Sequence, residues 1–254
     1  MWEKTELDRL CDTIYLRKSV RKYEQAPLDQ AMLDSVINKT RELTALSTDT
    51  VAFRILTKQQ VKGMNPVKAP HYLAVYAKED TTARINAGFV LQQIDLWLSA
   101  QRLGTCWLGM PNAAKDVRTA DGLPFVIMLS FGHPAEEVHR KDVSEFKRKA
   151  LPEITNVSGI EQLLEPVRLA PSAVNRQPWY LIGSTQALRV CRKSSGFVMG
   201  AVMGDMPKID IGIALCHLWL SAQKNDSFAS FERENSPKDI PSGYTYDWTM
   251  NLKT

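Results

Sequence analysis

Three stretches of this 254-residue chain concentrate side chains that could do chemistry. The first is Arg17-Lys18-Ser19-Val20-Arg21-Lys22-Tyr23. If it is extended, period-2 alternation puts Arg17, Ser19 and Arg21 on one face. Two guanidinium forks and a hydroxyl suit the oxygens of a phosphate. A solvated basic turn after a helix has the same composition. The second stretch is Leu169-Ala170-Pro171-Ser172-Ala173-Val174-Asn175-Arg176-Gln177-Pro178-Trp179. Pro171 and Pro178 each bias the preceding residue away from the α region. Hydrogen-bonding groups lie between them, so the loop is rigid and polar enough to hold a small polar ring. An ordinary helix-to-strand connection reads the same way. The third stretch is Thr105-Cys106-Trp107-Leu108-Gly109-Met110-Pro111. Its glycine allows close backbone approach to a ligand; a helix stop leading to a loop is the competing reading. Arg140 and Lys141 lie within a heavily charged run, 134–149. Such a run is usually a solvated face, but here it follows a strand and loop and could supplement a phosphate grip.

Other reactive residues read as packing. Cys106 has no basic cluster or second cysteine near it in sequence, as a small buried hydrophobe would. His217 sits mid-helix on an apolar face, as a hydrogen-bonded core histidine. Trp97 and Trp219 read as core. The four cysteines and four histidines show no metal-ligand spacing, and scattered cysteines fit a reduced compartment. The basic run has only Phe146 as an aromatic platform, which argues against nucleic acid.

The apolar fraction of 44% and charged fraction of 24% are those of a globular protein. The net charge of +4 fits anionic ligands without requiring nucleic acid. The N-terminus lacks the pattern of a signal peptide. The most apolar run, Ile211 to Ala222, is shorter than the ~20 residues a bilayer needs. A cytoplasmic location without membrane attachment is the expectation.

The elements that would position these stretches follow from periodicity. Helices are expected over 6–16, from Asp29 (as cap) through Ile37, over 84–102, 112–119, 160–169 and 209–223. Strands are expected at 51–56, 71–77, 125–132 and 179–182, with Tyr244–Trp248 as an edge or closing strand. Gly104 suits the position just after the long helix. Leu96-Trp97-Leu98-Ser99-Ala100-Gln101 recurs as Leu218-Trp219-Leu220-Ser221-Ala222-Gln223, 122 residues later. That period is far too long for a solenoid. It suggests two related halves, 1–155 and 156–254, about a pseudo-twofold axis. The basic stretch belongs to one half and the proline-flanked loop to the other, so the two could complete one site.

Taken together, these segments resemble the nitroreductase superfamily of FMN-dependent oxidoreductases. The likeness is carried by the first two stretches above, by Leu103-Gly104-Thr105-Cys106-Trp107-Leu108-Gly109, by Asp210-Ile211-Gly212-Ile213-Ala214 and by Phe131-Gly132-His133-Pro134-Ala135-Glu136, and it spans nearly the whole chain. It is closest to a branch with both halves in one polypeptide. The resemblance implies an α+β fold with a central, mainly antiparallel sheet flanked by helices. It implies FMN between the halves, with NADH or NADPH as donor, and ping-pong hydride transfer to a small nitroaromatic, quinone or similar acceptor. Arg17, Lys18, Ser19 and Arg21 would hold the phosphate and ribityl chain, with Arg140 and Lys141 as a less secure match because Arg148 and Lys149 compete. Trp107, Leu108 and Gly109 would approach the ring edge, and Pro171, Ser172, Ala173, Asn175 and Gln177 would line the ring. A monomeric pseudo-dimer or weak homodimer is expected. The alternatives are an FMN-binding or storage protein with little turnover, or a dehalogenase or flavin-fragmenting member. The latter would need a lid, for which 184–208 is the one candidate.

Overall fold

A computed structural model describes residues 2–64, 67–194, 200 and 203–253. Its centre is a pair of long helices, α3 (Thr81–Ala100) and α5 (Met206–Lys224), which are buried along most of their length. Two glycines allow the contact between them. A Cβ on Gly88 would overlap the backbone of Ile209, and one on Gly212 would overlap the backbone of Ile85. Removing those two side chains brings the helix backbones close enough to interlock. Helix α1 (Lys4–Ile14) packs against both, and α4 (Glu161–Leu169) packs against α5.

A sheet lies against each central helix. On the α3 side the strands are β1 (Ala52–Leu56), β3 (His71–Tyr76), β4 (Gly104–Leu108) and β7 (Leu123–Gly132), in the order β1-β3-β7-β4, with the short β6 (Thr119–Ala120) beside β7. On the α5 side they are β8 (Trp179–Gly183), β9 (Ala187–Lys193), β10 (Phe228–Glu232) and β11 (Tyr244–Lys253), in the order β10-β11-β9-β8. All these strand pairings are antiparallel. The architecture is therefore α+β and antiparallel, as the resemblance implies.

Caps follow sequence where a carboxylate is available. The Asp29 side chain accepts from Met32 N at 2.7 Å at the start of α2 (Gln30–Lys39), and Asp80 accepts from Ala83 N at 2.8 Å at the start of α3. Pro166 lies inside α4, where its missing N–H leaves the Gln162 carbonyl without its usual donor. The Ser221 hydroxyl supplies one at 3.2 Å.

Three expectations need correction, and a fourth falls partly outside the described residues. Residues 112–119 do not form an α-helix. Asn112–Ala113 (β5) pairs with Val61–Lys62 (β2), and only one short 3-10 turn follows before β6. Gly104 is not the residue after the helix, because Arg102 takes the left-handed position at φ 61°. Gly104 instead starts β4, where a Cβ would lie 2.7 Å from Val20 Cγ1. The C-terminal strand is not at an edge; β11 lies between β10 and β9. Of the lid candidate, residues 195–199 and 201–202 lie outside the described residues, and 187–193 form β9.

Candidate functional site

One cleft of about 380 Å³ opens between the α3-side sheet, the loop after α4, and α5. Ser19 and Arg21 stand at its polar end. Cys106 through Pro111 form one side, and Pro171 through Val174 form the other. Val67, Ile127 and, from α5, Met206, Ile209, Asp210 and Ile213 complete the lining. The basic stretch and the proline-flanked loop thus share a cavity, although about 150 residues separate them.

The basic stretch is fixed by backbone pairing. Ser19 bridges to Thr105 of β4, and Val20 N donates to Thr105 O at 2.8 Å. Glu136 Oε1, in the turn after β7, accepts from Arg21 N at 2.6 Å and Lys22 N at 3.1 Å. The Arg21 guanidinium has only Ser19 O, at 3.4 Å, and no carboxylate among the described residues. It is an exposed, uncompensated cation at the cleft.

Arg17 does not share that face. It is 2% exposed and ion-paired with fully buried Asp95 of α3 at 3.1 Å. Asp95 also accepts from Thr105 Oγ1 at 2.5 Å. The pair ties the basic stretch to α3 and β4 rather than presenting two guanidiniums to one ligand. Lys18 does not line the cleft either. Arg140 and Lys141 are also elsewhere. Arg140 stacks on Phe146 at 4.0 Å and donates to Arg17 O, and Lys141 N donates to Glu145 at 2.8 Å. Burial, reinforced by the Arg17 charge, pulls the Arg140 pKa down to about 10.

On the opposite side, the loop's first residues face the cleft, while Gln177 is buried and Asn175 is exposed but tied to the 147–148 segment. Gln177 is 3% exposed and accepts from Lys149 N at 2.8 Å. Asn175 Oδ1 accepts from Arg148 Nη1 at 2.6 Å. Arg148 also donates to the carbonyls of Ala170 at 3.1 Å and Leu169 at 3.3 Å, closing the C-terminal end of α4. Val174 adopts φ 45° and ψ 30° and is 82% exposed, an unusual conformation for a β-branched residue.

Trp107 faces the cleft and belongs to a buried polar chain. Its Nε1 donates to Gln92 Oε1 at 3.1 Å. Gln92 Nε2 meets His217 Nε2 at 3.1 Å, and His217 Nδ1 meets Pro166 O at 2.8 Å. A carbonyl only accepts, so Nδ1 carries the proton and Nε2 accepts from Gln92. Burial pushes the His217 pKa down to about 3, keeping the ring neutral. The chain links one side of the cleft to α4, which leads into the other.

Gly109 leaves space toward a flexible side chain, since a Cβ there would lie 2.6 Å from Met206 Cε. Cys106 is buried, and burial raises its thiol pKa, which fits packing rather than a reactive thiolate.

Asp210 belongs to the Asp210–Ala214 motif, to which the sequence assigns no role. It is 3% exposed, and its Oδ1 accepts from Ala173 N at 2.9 Å, holding the loop to α5. Its Oδ2 has no partner among the described residues. Burial pushes this carboxyl up to about 7. The available signal was an acid set among Ile209, Ile211 and Ile213. Met206, Ile209, Ile213 and Ile127 gave none, because an apolar lining residue looks like core. Among the described residues, no cluster of His, Cys, Asp and Glu suits a metal, and no helix is long and apolar enough to cross a membrane.

The family model described as "Putative TM nitroreductase" matches residues 9–222. A solved structure described as a putative nitroreductase from Thermotoga maritima aligns over 96% of this chain and 93% of its own, with 21% identity and a TM-score of 0.67. A nitroreductase family protein from Clostridium difficile 630 aligns over 60% of this chain and 96% of its own, with 15% identity and a TM-score of 0.43. A protein named FMN-dependent nitroreductase, from Clostridium difficile R20291, aligns over 52% of this chain and 91% of its own, with 17% identity and a TM-score of 0.41. No curated protein matches the chain.

Proposed function

Because the chain belongs to the family described as "Putative TM nitroreductase", we propose that it is an FMN-dependent NAD(P)H oxidoreductase of nitroreductase type. Its acceptor is a nitroaromatic, quinone or similar small molecule. The supporting observation is the polarity of the cleft: a free guanidinium and a hydroxyl at one end of an otherwise largely apolar hollow. Its volume falls in the range of small-molecule sites. That donor set suits a phosphate attached to a flat heteroaromatic ring.

FMN, when bound, would supply the hydride-transfer chemistry, so the chain would need no catalytic triad. The protein's own residues bind and orient. Arg21 and Ser19 hold the phosphate and ribityl oxygens. Arg17 acts through Asp95 by fixing the strand that carries them. Trp107, Leu108 and Gly109 border one edge of the ring. Pro171, Ser172 and Ala173 border the other, held by Asp210. Met110 and Val174, both exposed at the cleft, would border the bound ring on its open side. The two parts 1–155 and 156–254 are read as copies of one ancestral unit that keep a single complete site, so the chain acts as a monomer or weak dimer.

Arg21→Ala tests the phosphate role. The loss of a charged hydrogen-bonding group should weaken FMN retention by roughly tenfold or more, with little change in melting temperature. Full flavin occupancy of the diluted variant would refute that role.

A further inference from the structure

A second cavity, of about 100 Å³, lies behind the loop. Lys149, Arg176 and Lys193 line it together with Asp210, which is the one residue it shares with the cleft. Arg176 and Lys193 pair with no carboxylate among the described residues, and Lys149 Nζ donates to the Gln177 carbonyl at 2.9 Å. Burial and the neighbouring Lys193 and Arg176 charges lower the Lys149 pKa, although the nearby Glu153 opposes this. The cations therefore crowd one another without an internal counter-ion close enough to quench them. Asp210 is the one acid in the wall. Its Oδ2 is buried without a partner, and a protonated carboxyl donates a hydrogen bond.

We infer that this cavity binds an oxyanion, a phosphate or carboxylate group carried by the second ligand of the cleft, whose flat part lies on the other side of Asp210. The choice of carrier rests on the redox reading above; binding of the oxyanion itself does not. The candidate carriers are a phosphorylated nicotinamide donor and a carboxylated acceptor. An anion beside Asp210 favours its protonated form, so binding takes up a proton. The other charged groups around it are Arg176, Lys149 and Lys193. On its own helix Lys208 pairs with Asp205 just before it, and Asp205 also pairs with Arg84 of α3.

The test is calorimetric titration of the full-length chain with inorganic phosphate on both sides of neutral pH, in buffers of different ionisation enthalpy. Saturable binding with proton uptake, weaker on the alkaline side, is expected. Arg176→Ala with Lys193→Ala should weaken it roughly tenfold or more, and Asp210→Asn should abolish the proton uptake. Steady-state KM values then separate the carriers: the double variant should raise KM for NADPH over NADH, or for a carboxylated quinone over a neutral one. Non-saturable phosphate binding, or binding unchanged in the double variant, would overturn the proposal. So would loss of FMN from the double variant, which would assign the cavity to the cofactor's own phosphate. The titration needs no flavin, so a colourless protein would defeat the redox reading while leaving the anion site to be decided by the phosphate data.

Discussion

The segments 17–21 and 171–179 each supply residues to the same cleft but are held differently. The first segment is fixed by main-chain bonds to Thr105 and by the turn after β7, with the buried Arg17–Asp95 pair beneath it. The second makes a short turn of its own and is otherwise pinned largely by side chains: Asp210 on Ala173, Ser172 on Gln177, and Arg148 on Asn175. Three of its non-glycine residues, Val174, Asn175 and Gln177, have φ of 45°, 57° and 48°. Asparagine tolerates that region and valine does not. One side of the cleft is therefore a frame, and the other is a strained strap whose fastenings can be removed singly.

The largest expected effect lies under the frame. Asp95→Ala leaves the Arg17 guanidinium buried and unpaired, and urea unfolding should show a loss of about 3–5 kcal/mol. A loss below about 1 kcal/mol would mean that the frame does not depend on this pair.

The next effect concerns the strap's main fastening and depends on pH. The Asp210 pKa is raised to about 7. The folded state therefore holds a proton that the unfolded chain releases near its ordinary value, and stability falls as pH rises from about 4 to about 7. The His217 pKa is lowered to about 3. Its contribution has the opposite sign: present above about 6.5 and lost as pH falls toward 3. The two slopes oppose each other over a shared window. Asp210→Asn should unmask the histidine, making stability fall by up to about 1.4 kcal/mol per unit of acidification. Urea midpoints across that window would check this, and an unchanged profile would contradict it.

Smaller still is Arg148→Met, which removes the donor to the Leu169 and Ala170 carbonyls and to Asn175. A loss of about 1–3 kcal/mol is expected, along with faster proteolysis within 171–179 than elsewhere. The smallest effect has the other sign. Val174→Gly relieves the left-handed strain and should stabilise by about 1 kcal/mol. Destabilisation on thermal melting would show that the valine side chain is held by contacts that offset its conformation.

The same contrast explains what the sequence makes legible. The central helices and the Asp29 cap are local patterns, and they hold in the structure. The convergence of the two segments on one cleft was foreshadowed by their complementary polar residues. The 112–119 helix fails because pairing of Asn112–Ala113 with Val61–Lys62 overrides local propensity. β9 and β10 are missed because charged and polar residues interrupt their apolar positions, and β11 is misplaced because composition does not reveal which strands will flank it. The inward turn of Arg17 depends on Asp95, a partner 78 positions away that alternation cannot supply. Asn175 and Gln177 look like ligand groups because their real partners, Arg148 and Lys149, lie in a run that reads as a solvated face. The glycines at the helix crossing, Gly88 and Gly212, are spaced two residues farther apart than the matching hexapeptides.

The most direct test of the account is the flavin content of the purified full-length chain, measured from its visible spectrum against protein concentration after saturation with FMN and removal of the excess. Frame and strap closing on one shared cleft predict one flavin per chain, with the absorption bands of the oxidised cofactor. A chain that retains none, or that saturates at two, would contradict it.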